Sequence, residues 1–286
     1  MVKKEIRRIA INTGGGDAPG LNAVIRAAVL SAHNRGWEVL GIHHGYAGLL
    51  DTSKIVTLDR AMVRGITHLG GPILGTANKG NPFEMPMKLP DGSMTEVDRS
   101  DEVVQNFQRL GLDALIAIGG DGSMRIAQKF QAKGLPVVGV PKTIDNDLAG
   151  TVVTFGFDTA TTVATDAVGR LHSTAEAHER VFTVEVMGRY ACWIALHSAI
   201  AGGAEVALIR EIPFVIEFVC RKIMSREARG RRFSIVVVAE GATPIGGKMV
   251  TQGPKEIGRE ILLGGIGEQV AREIQTRTGK ETRNLV

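Results

Sequence analysis

The chain has 286 residues, a net charge of +4, 44% hydrophobic and 22% charged residues, and 36 glycines. That is enough chain to bury one large or two modest cores, and the balance excludes a disordered or fibrous protein. Two cysteines, Cys192 and Cys220, form neither a disulfide framework nor a metal-binding spacing and read as reduced thiols; the basic excess is dispersed, densest at Arg229, Arg231 and Arg232, and no nucleic-acid motif accompanies it.

The amino-terminal MVKKEIRRIA lacks the apolar run of a signal peptide. Ile6–Asn12 is a short apolar run ending in glycines, a predicted strand. Leu21, Val24, Ile25, Ala28 and Val29 follow the i, i+3, i+4 spacing of an amphipathic helix that closes near Gly36. Trp37–His43 reads as a strand, Asn78–Ser93 as a polar loop containing Pro and Gly, and Asp101–Leu110 as a helix capped by Gly111. Asp113–Ile118 is a predicted buried strand, Ser123–Lys133 a helix capped by Gly134, and Val137–Val140 a strand cut off by Pro141.

Past a boundary placed near Gly156 the alternation resumes. Asp158 can N-cap a helix to about Ala177. Val181–Val186 is a strand, Tyr190–Ala201 a helix, Glu205–Ile209 a strand, Phe214–Arg229 a helix and Ser234–Ala239 a strand. Glu256–Thr278 is a long helical stretch interrupted by glycine. The least charged stretch, Tyr190 to Ala204, falls short of the roughly 20 apolar residues a bilayer requires. Together these features predict a soluble cytoplasmic protein without nucleic-acid or membrane partners. Such alternation predicts α/β architecture, with parallel sheets covered by helices on both faces. Ligands of such folds sit at the carboxyl ends of the strands.

Three unusual segments fall there. Gly14–Asn22 joins the first strand to the first helix. Its glycines allow a sharp turn and close approach to a phosphate, which then faces backbone N–H groups and the positive end of the helix dipole. It lacks the Lys-Ser/Thr of a P-loop and the dinucleotide spacing, so taken alone it is a weak signal, with a mere tight turn as the alternative. Gly119–Ser123 puts Asp121 beside glycines at a strand tip, suited to Mg2+ on a nucleotide or simply to capping the next helix. Pro141–Asp147 holds Asp145 and Asp147 two residues apart. Each raises the other's pKa, so one can act as base towards a hydroxyl while the other leans towards a metal; a hydrophilic Asx-turn is the alternative.

Taken together, these segments resemble the 6-phosphofructokinase family. The shared runs are Gly15–Arg26 (GGDAPGLNAVIR), His44–Leu49 (HGYAGL), Gly119–Ser123 (GGDGS), Pro141–Asp147 (PKTIDND), Glu179–Cys192 (ERVFTVEVMGRYAC), Ala199–Glu205 (AIAGGAE) and Val236–Ala242 (VVVAEGA). The resemblance implies two Rossmann-like three-layer α/β/α domains with mainly parallel sheets and the active site in the cleft between them. Residues 1–156 would form the larger nucleotide-binding domain and 157–286 the sugar-phosphate-binding domain. The implied reaction is Mg2+-dependent transfer of a phosphoryl group from ATP to the 1-hydroxyl of fructose 6-phosphate.

The resemblance also implies residue roles. Asp145 would be the general base, Thr143 would lie near the transferred group, and Asp147 would orient the site. Asp121 would hold Mg2+. Gly16, Tyr46, Lys79, Gly120, Gly122, Ser123 and Lys142 would bind the nucleotide. Arg189 would offset transition-state charge, and Met187, Gly188 and Glu240 would contact the sugar. Arg180 would cross a subunit interface to the 6-phosphate, implying a homodimer or homotetramer. A guanidinium fork suits a phosphate dianion.

Pyrophosphate-dependent members of the family carry Asp where this chain has Gly122, together with a Lys at the position of Lys142. This chain pairs Gly with Lys, and the room left by Gly122 favours ATP over pyrophosphate. An NAD kinase, suggested by Gly119–Ser123 alone, leaves Pro141–Asp147 unexplained. A non-catalytic nucleotide-binding regulatory subunit is the reading from another class. The family continues past the position of Val286, so the chain reads as lacking a carboxyl-terminal return segment and, taken alone, as a poor enzyme.

Overall fold

The computed structural model describes residues 5–77, 80–253 and 262–286. Lys79 and the first part of the expected helical stretch, residues 256–261, lie outside the described residues. The chain packs as two compact units. One comprises residues up to Thr143 together with Leu148–Gly156. The other comprises Ile144–Asp147 and the described residues from Phe157 onward.

The first unit is built on strands β1 (Arg8–Thr13), β2 (Glu38–Ile42) and β3 (Ile55–Thr57), a separate hairpin of β4 (Met85–Lys88) and β5 (Met94–Val97), then β6 (Ala114–Gly119), β7 (Val137–Thr143) and β8 (Phe155–Gly156). The six-stranded sheet has the order β3-β2-β1-β6-β7-β8, parallel except for β3. Side-chain alternation along β1 divides the core. Ile9 and Ile11 pack with Leu21, Ile25 and Val29 of α1 (Leu21–His33). Ala10 faces the other way, towards Phe107 of α2 (Ser100–Arg109) and Phe130 of α3 (Asp121–Ala132).

The second unit has an all-parallel sheet, in which β9 (Val181–Val186), β10 (Val206–Leu208), β11 (Ser234–Ala239) and β12 (Thr282–Leu285) take the order β10-β11-β9-β12. Its faces are covered by α4 (Phe157–His178) and α5 (Trp193–Gly202) on one side and by α6 (Ile216–Glu227) and α7 (Ile266–Thr278) on the other. β11 is buried along its length and β9 along all but its last residue, as parallel strands covered on both faces are; β11 reads as a nearly continuous apolar run, while β9 carries Thr183 and Glu185 among its apolar residues. Among the described residues no helix is long and apolar enough to cross a membrane.

Several boundaries depart from the sequence expectation for physical reasons. Pro141 does not end its strand: β7 continues to Thr143, and its pairing with β8 begins only at Lys142. Pro141 therefore sits where that side of the strand is still an edge, the position in a sheet that tolerates a missing N–H. The expected loop over Asn78–Ser93 contains β4 and the turn of the β4–β5 hairpin, in which the Leu89 N–H donates to the Ser93 carbonyl at 2.8 Å. The last helix begins only at Ile266, behind Gly264 and Gly265, whose φ values of 135° and 97° no helix can contain. β12 was not anticipated.

Candidate active site

In the first sheet β1 leads through α1 to β2 on one side, while β6 lies on the other. The crevice beyond the carboxyl ends of β1 and β6 is therefore a topological switch point. Both glycine turns open onto it. Gly14 follows β1 and donates its N–H to the Ile118 carbonyl of β6 at 2.9 Å. A Cβ at Gly119 would collide with the Ser123 Cβ, so that position needs glycine for the two turns to interlock, while one at Gly14 would force the Ser123 hydroxyl aside. Gly16 and Gly122 differ: a Cβ at either would meet nothing within 4 Å, and neither has a left-handed φ. Neither the backbone nor the packing requires glycine there, so the open space is available to a ligand.

Gly120 is the N-cap of α3 and has an extended conformation, and Met124 N–H returns to its carbonyl at 3.0 Å. The preceding N–H groups at the start of α3 have no helical partners and face an anion favourably. Asp121 begins the helix with an exposed side chain and pairs with Arg125 one turn on, at 2.9 Å. Tyr46 is buried beneath this turn, its hydroxyl donating to the Ser123 carbonyl at 2.9 Å and its ring 5.5 Å from that of Phe130. Burial pushes its phenol well above its ordinary pKa. Tyr46 thus supports α3 from below. Lys142 is also buried, and its ammonium donates to the Gly16 carbonyl, bracing the first glycine turn. Thr143 closes β7, where its carbonyl accepts the Thr154 hydroxyl at 2.8 Å.

In the second unit the Pro141–Asp147 run continues with Asp145 half-buried, Asn146 in the left-handed region at φ 54°, and Asp147 exposed. Asn tolerates that conformation better than other residues with a side chain. The second sheet has its own switch point, between β9 and β11. Val186 and Ala239 end the two strands in register, so Met187–Arg189 and Glu240 emerge side by side. Glu240 N–H donates to Val186 at 2.9 Å and Gly241 N–H to Gly188 at 3.1 Å. Gly188 has φ 150°, and a Cβ there would press within 3.3 Å of the Ala191 carbonyl. Met187 is 55% exposed. The Arg189 guanidinium lies 5.8 Å from the Tyr190 ring. Arg180 is at the other, amino end of β9, tied to Glu281 at 2.6 Å.

Burial raises the Glu240 carboxyl above its ordinary 4.5, against the pull of the Gly188 N–H and the Arg189 charge. The native protein therefore binds a proton at Glu240 that the unfolded chain has already released. Stability is expected to fall as pH rises from about 4.5 through the raised value, and Glu240→Gln to flatten that fall, as read by urea denaturation across the range.

Some positioning groups escaped the sequence reading. Glu211 accepts the Cys192 N–H at 2.9 Å just before α5. Glu185, buried within β9, accepts the Gly265 and Gly267 N–H groups at 2.8 and 2.9 Å and so caps α7 from the sheet. The available signal was a lone carboxylate inside an apolar strand.

The phosphofructokinase family model matches residues 8–286. The ATP-dependent 6-phosphofructokinase of Chloroflexus aggregans is 53% identical over 280 residues, covering 98% of this chain and 76% of that protein. Among solved structures, Pichia pastoris phosphofructokinase superposes with a TM-score of 0.81 at 30% identity, over 98% of this chain but 29% of the yeast chain. The pyrophosphate-dependent phosphofructokinase of Marinobacter aquaeolei has the same fold, with a TM-score of 0.76 at 20% identity over 98% of this chain and 68% of that one.

Proposed function

The chain belongs to the phosphofructokinase family, and from that premise we propose that it transfers the terminal phosphoryl group of ATP to the 1-hydroxyl of fructose 6-phosphate. One observation carries the choice of donor. Gly122, at the N-terminus of α3, leaves open space where a side chain would stand. A nucleoside triphosphate fits there, and the relatives named ATP-dependent agree.

Phosphoryl transfer rests on positioning and electrostatics more than on covalent help. In this reading the two glycine turns hold the donor phosphates through Gly16, Gly120, Gly122 and Ser123, with Lys142 bracing the first turn and Tyr46 supporting the second. Lys79 is assigned to the same nucleotide side. Asp145 takes the proton of the sugar hydroxyl, Thr143 lines the transferred group, and Asp147 orients the loop. Arg189 faces the charge that develops on the transferred oxygens, while Met187, Gly188 and Glu240 contact the sugar. The β9 strand spans about 20 Å, so Arg180 cannot serve the loop at the far end of its own strand. We assign it to the 6-phosphate in a neighbouring subunit of a homodimer or homotetramer.

Asp121 suits Mg2+. Among the described residues there is no cluster of three or more carboxylate, His or Cys side chains that would cage a metal. Mg2+ does not need one, because it keeps waters and takes one or two carboxylates together with substrate phosphates. An exposed carboxylate at a strand tip is such a ligand, and the bound ion would neutralise phosphate charge. The cytoplasm is the compartment assigned.

The test offers ATP and pyrophosphate separately with fructose 6-phosphate and Mg2+, and follows fructose 1,6-bisphosphate in a coupled assay. Turnover with ATP at least about tenfold above that with pyrophosphate is expected. Preference for pyrophosphate refutes the donor, and no transfer from either refutes the reaction.

A further inference from the structure

Asn22 stands in the buried stripe of α1 beside Leu21, Ile25 and Val29, and is 2% exposed. An amide there is costly unless its polar atoms are matched. They are, and every partner belongs to one loop. Nδ2 donates to the Leu69 carbonyl at 3.0 Å and to the Gly71 carbonyl at 2.8 Å, while Oδ1 accepts the Ile73 N–H at 2.9 Å. None of these bonds returns to α1 or reaches the sheet. An apolar residue would fill the stripe more cheaply, so the amide is better explained by the loop it grips than by the helix that carries it.

That loop runs on to the first glycine turn. Gly75 N–H closes a tight turn on the Pro72 carbonyl at 2.8 Å. The next residues then hold the turn directly: the Thr13 hydroxyl donates to the Gly75 carbonyl, the Thr76 hydroxyl donates to the Gly15 carbonyl, and Gly15 N–H donates to Ala77 at 3.0 Å. A chain of hydrogen bonds therefore leads from one buried side chain to the Gly14–Gly16 turn.

We propose that Asn22 is a positioning residue for the phosphoryl donor, which sets the Gly14–Gly16 turn through the 69–77 strap without touching the nucleotide. The proposal rests on the reading of that turn as part of the nucleotide site. A backbone cradle binds phosphate only if its N–H groups are held in place before the ligand arrives, and the strap supplies that restraint.

Two variants test it. Asn22→Ala removes all three bonds. Asn22→Asp keeps the volume and the acceptor for Ile73 but sets a carboxylate against the Leu69 and Gly71 carbonyls. Each is expected to raise KM for ATP roughly tenfold and to leave KM for fructose 6-phosphate within about twofold. Hydrogen exchange is expected to quicken at residues 14–16 and 73–77, with the β1 and β6 amides unchanged. A residue that only stabilised the fold would lower the unfolding midpoint without separating the two KM values. If the parent enzyme does not use ATP, the functional reading fails, while the exchange measurement still reports on the strap. If the parent turns over and both KM values move together, or neither moves, the proposal is overturned. It is overturned equally if exchange at residues 14–16 is unaltered, or if neither variant folds.

Discussion

Asp145→Asn is expected to lower kcat by roughly 10³-fold while ATP affinity stays within about threefold of the parent. The substitution preserves shape but exchanges one acceptor oxygen for an NH2 donor and removes the negative charge, and with it the ability to accept a proton. Asp145 is half-buried in a four-residue segment that packs with the second unit, followed by Asn146 in the left-handed region. The isosteric change leaves that backbone intact. Calorimetric titration with ATP and quenched-flow measurement of transfer separate binding from chemistry. Retention of more than about a tenth of kcat removes Asp145 from the role of base.

Gly122→Asp is expected to reduce kcat/KM for ATP by about 10²- to 10³-fold with little effect on folding. The position has no left-handed φ and open space around a Cβ, so the backbone accepts aspartate. A carboxylate in the first turn of α3 is also favourable to the helix dipole. Against a bound triphosphate the same charge is repulsive. Two unit charges about 4 Å apart at an effective dielectric of about 20 interact by about 4 kcal/mol, and solvent screening lowers this towards the range stated. Pyrophosphate, which has no α-phosphate bearing a nucleoside, should lose less. Thermal melting checks the fold, and paired kinetics with the two donors check the specificity. Equal loss with both donors removes Gly122 as the discriminating position.

The fold was legible wherever burial was strong and periodic. Ile9 and Ile11 against Ala10, and the apolar run of β11, fix strands and faces without outside help. What was hidden depends on partners distant in sequence. β8 is two residues long and exists only because β7 runs alongside it. β12, TRNL, has no apolar pattern of its own and becomes a strand only against β9. The β4–β5 hairpin carries exposed Met87 and Met94 where an alternating apolar face would have signalled strands. In the candidate site the glycine turns and the acidic loop were visible as composition. Lys142 and Tyr46 were named through the family resemblance, but how they support the site was not visible: Lys142 under Gly16, Tyr46 under Ser123 and Asn22 behind the strap act through hydrogen bonds to backbone atoms tens of positions away. Backbone acceptors leave no trace in side-chain identity. Asn22 alone left one, as an amide in an apolar helical stripe.

The order of strands in the second sheet bears on how the chain reaches its native state. No two neighbours are joined by a hairpin, and Thr183 of β9 meets Asn284 of β12 across 101 positions. Closing so large a loop before its contacts repay the lost entropy makes assembly slow. During synthesis β9 emerges long before β12, and until then one backbone edge of the strand leading to Met187–Arg189 lacks the neighbour it will have in the finished sheet. That interval, rather than the folded enzyme, is when chaperones would matter most.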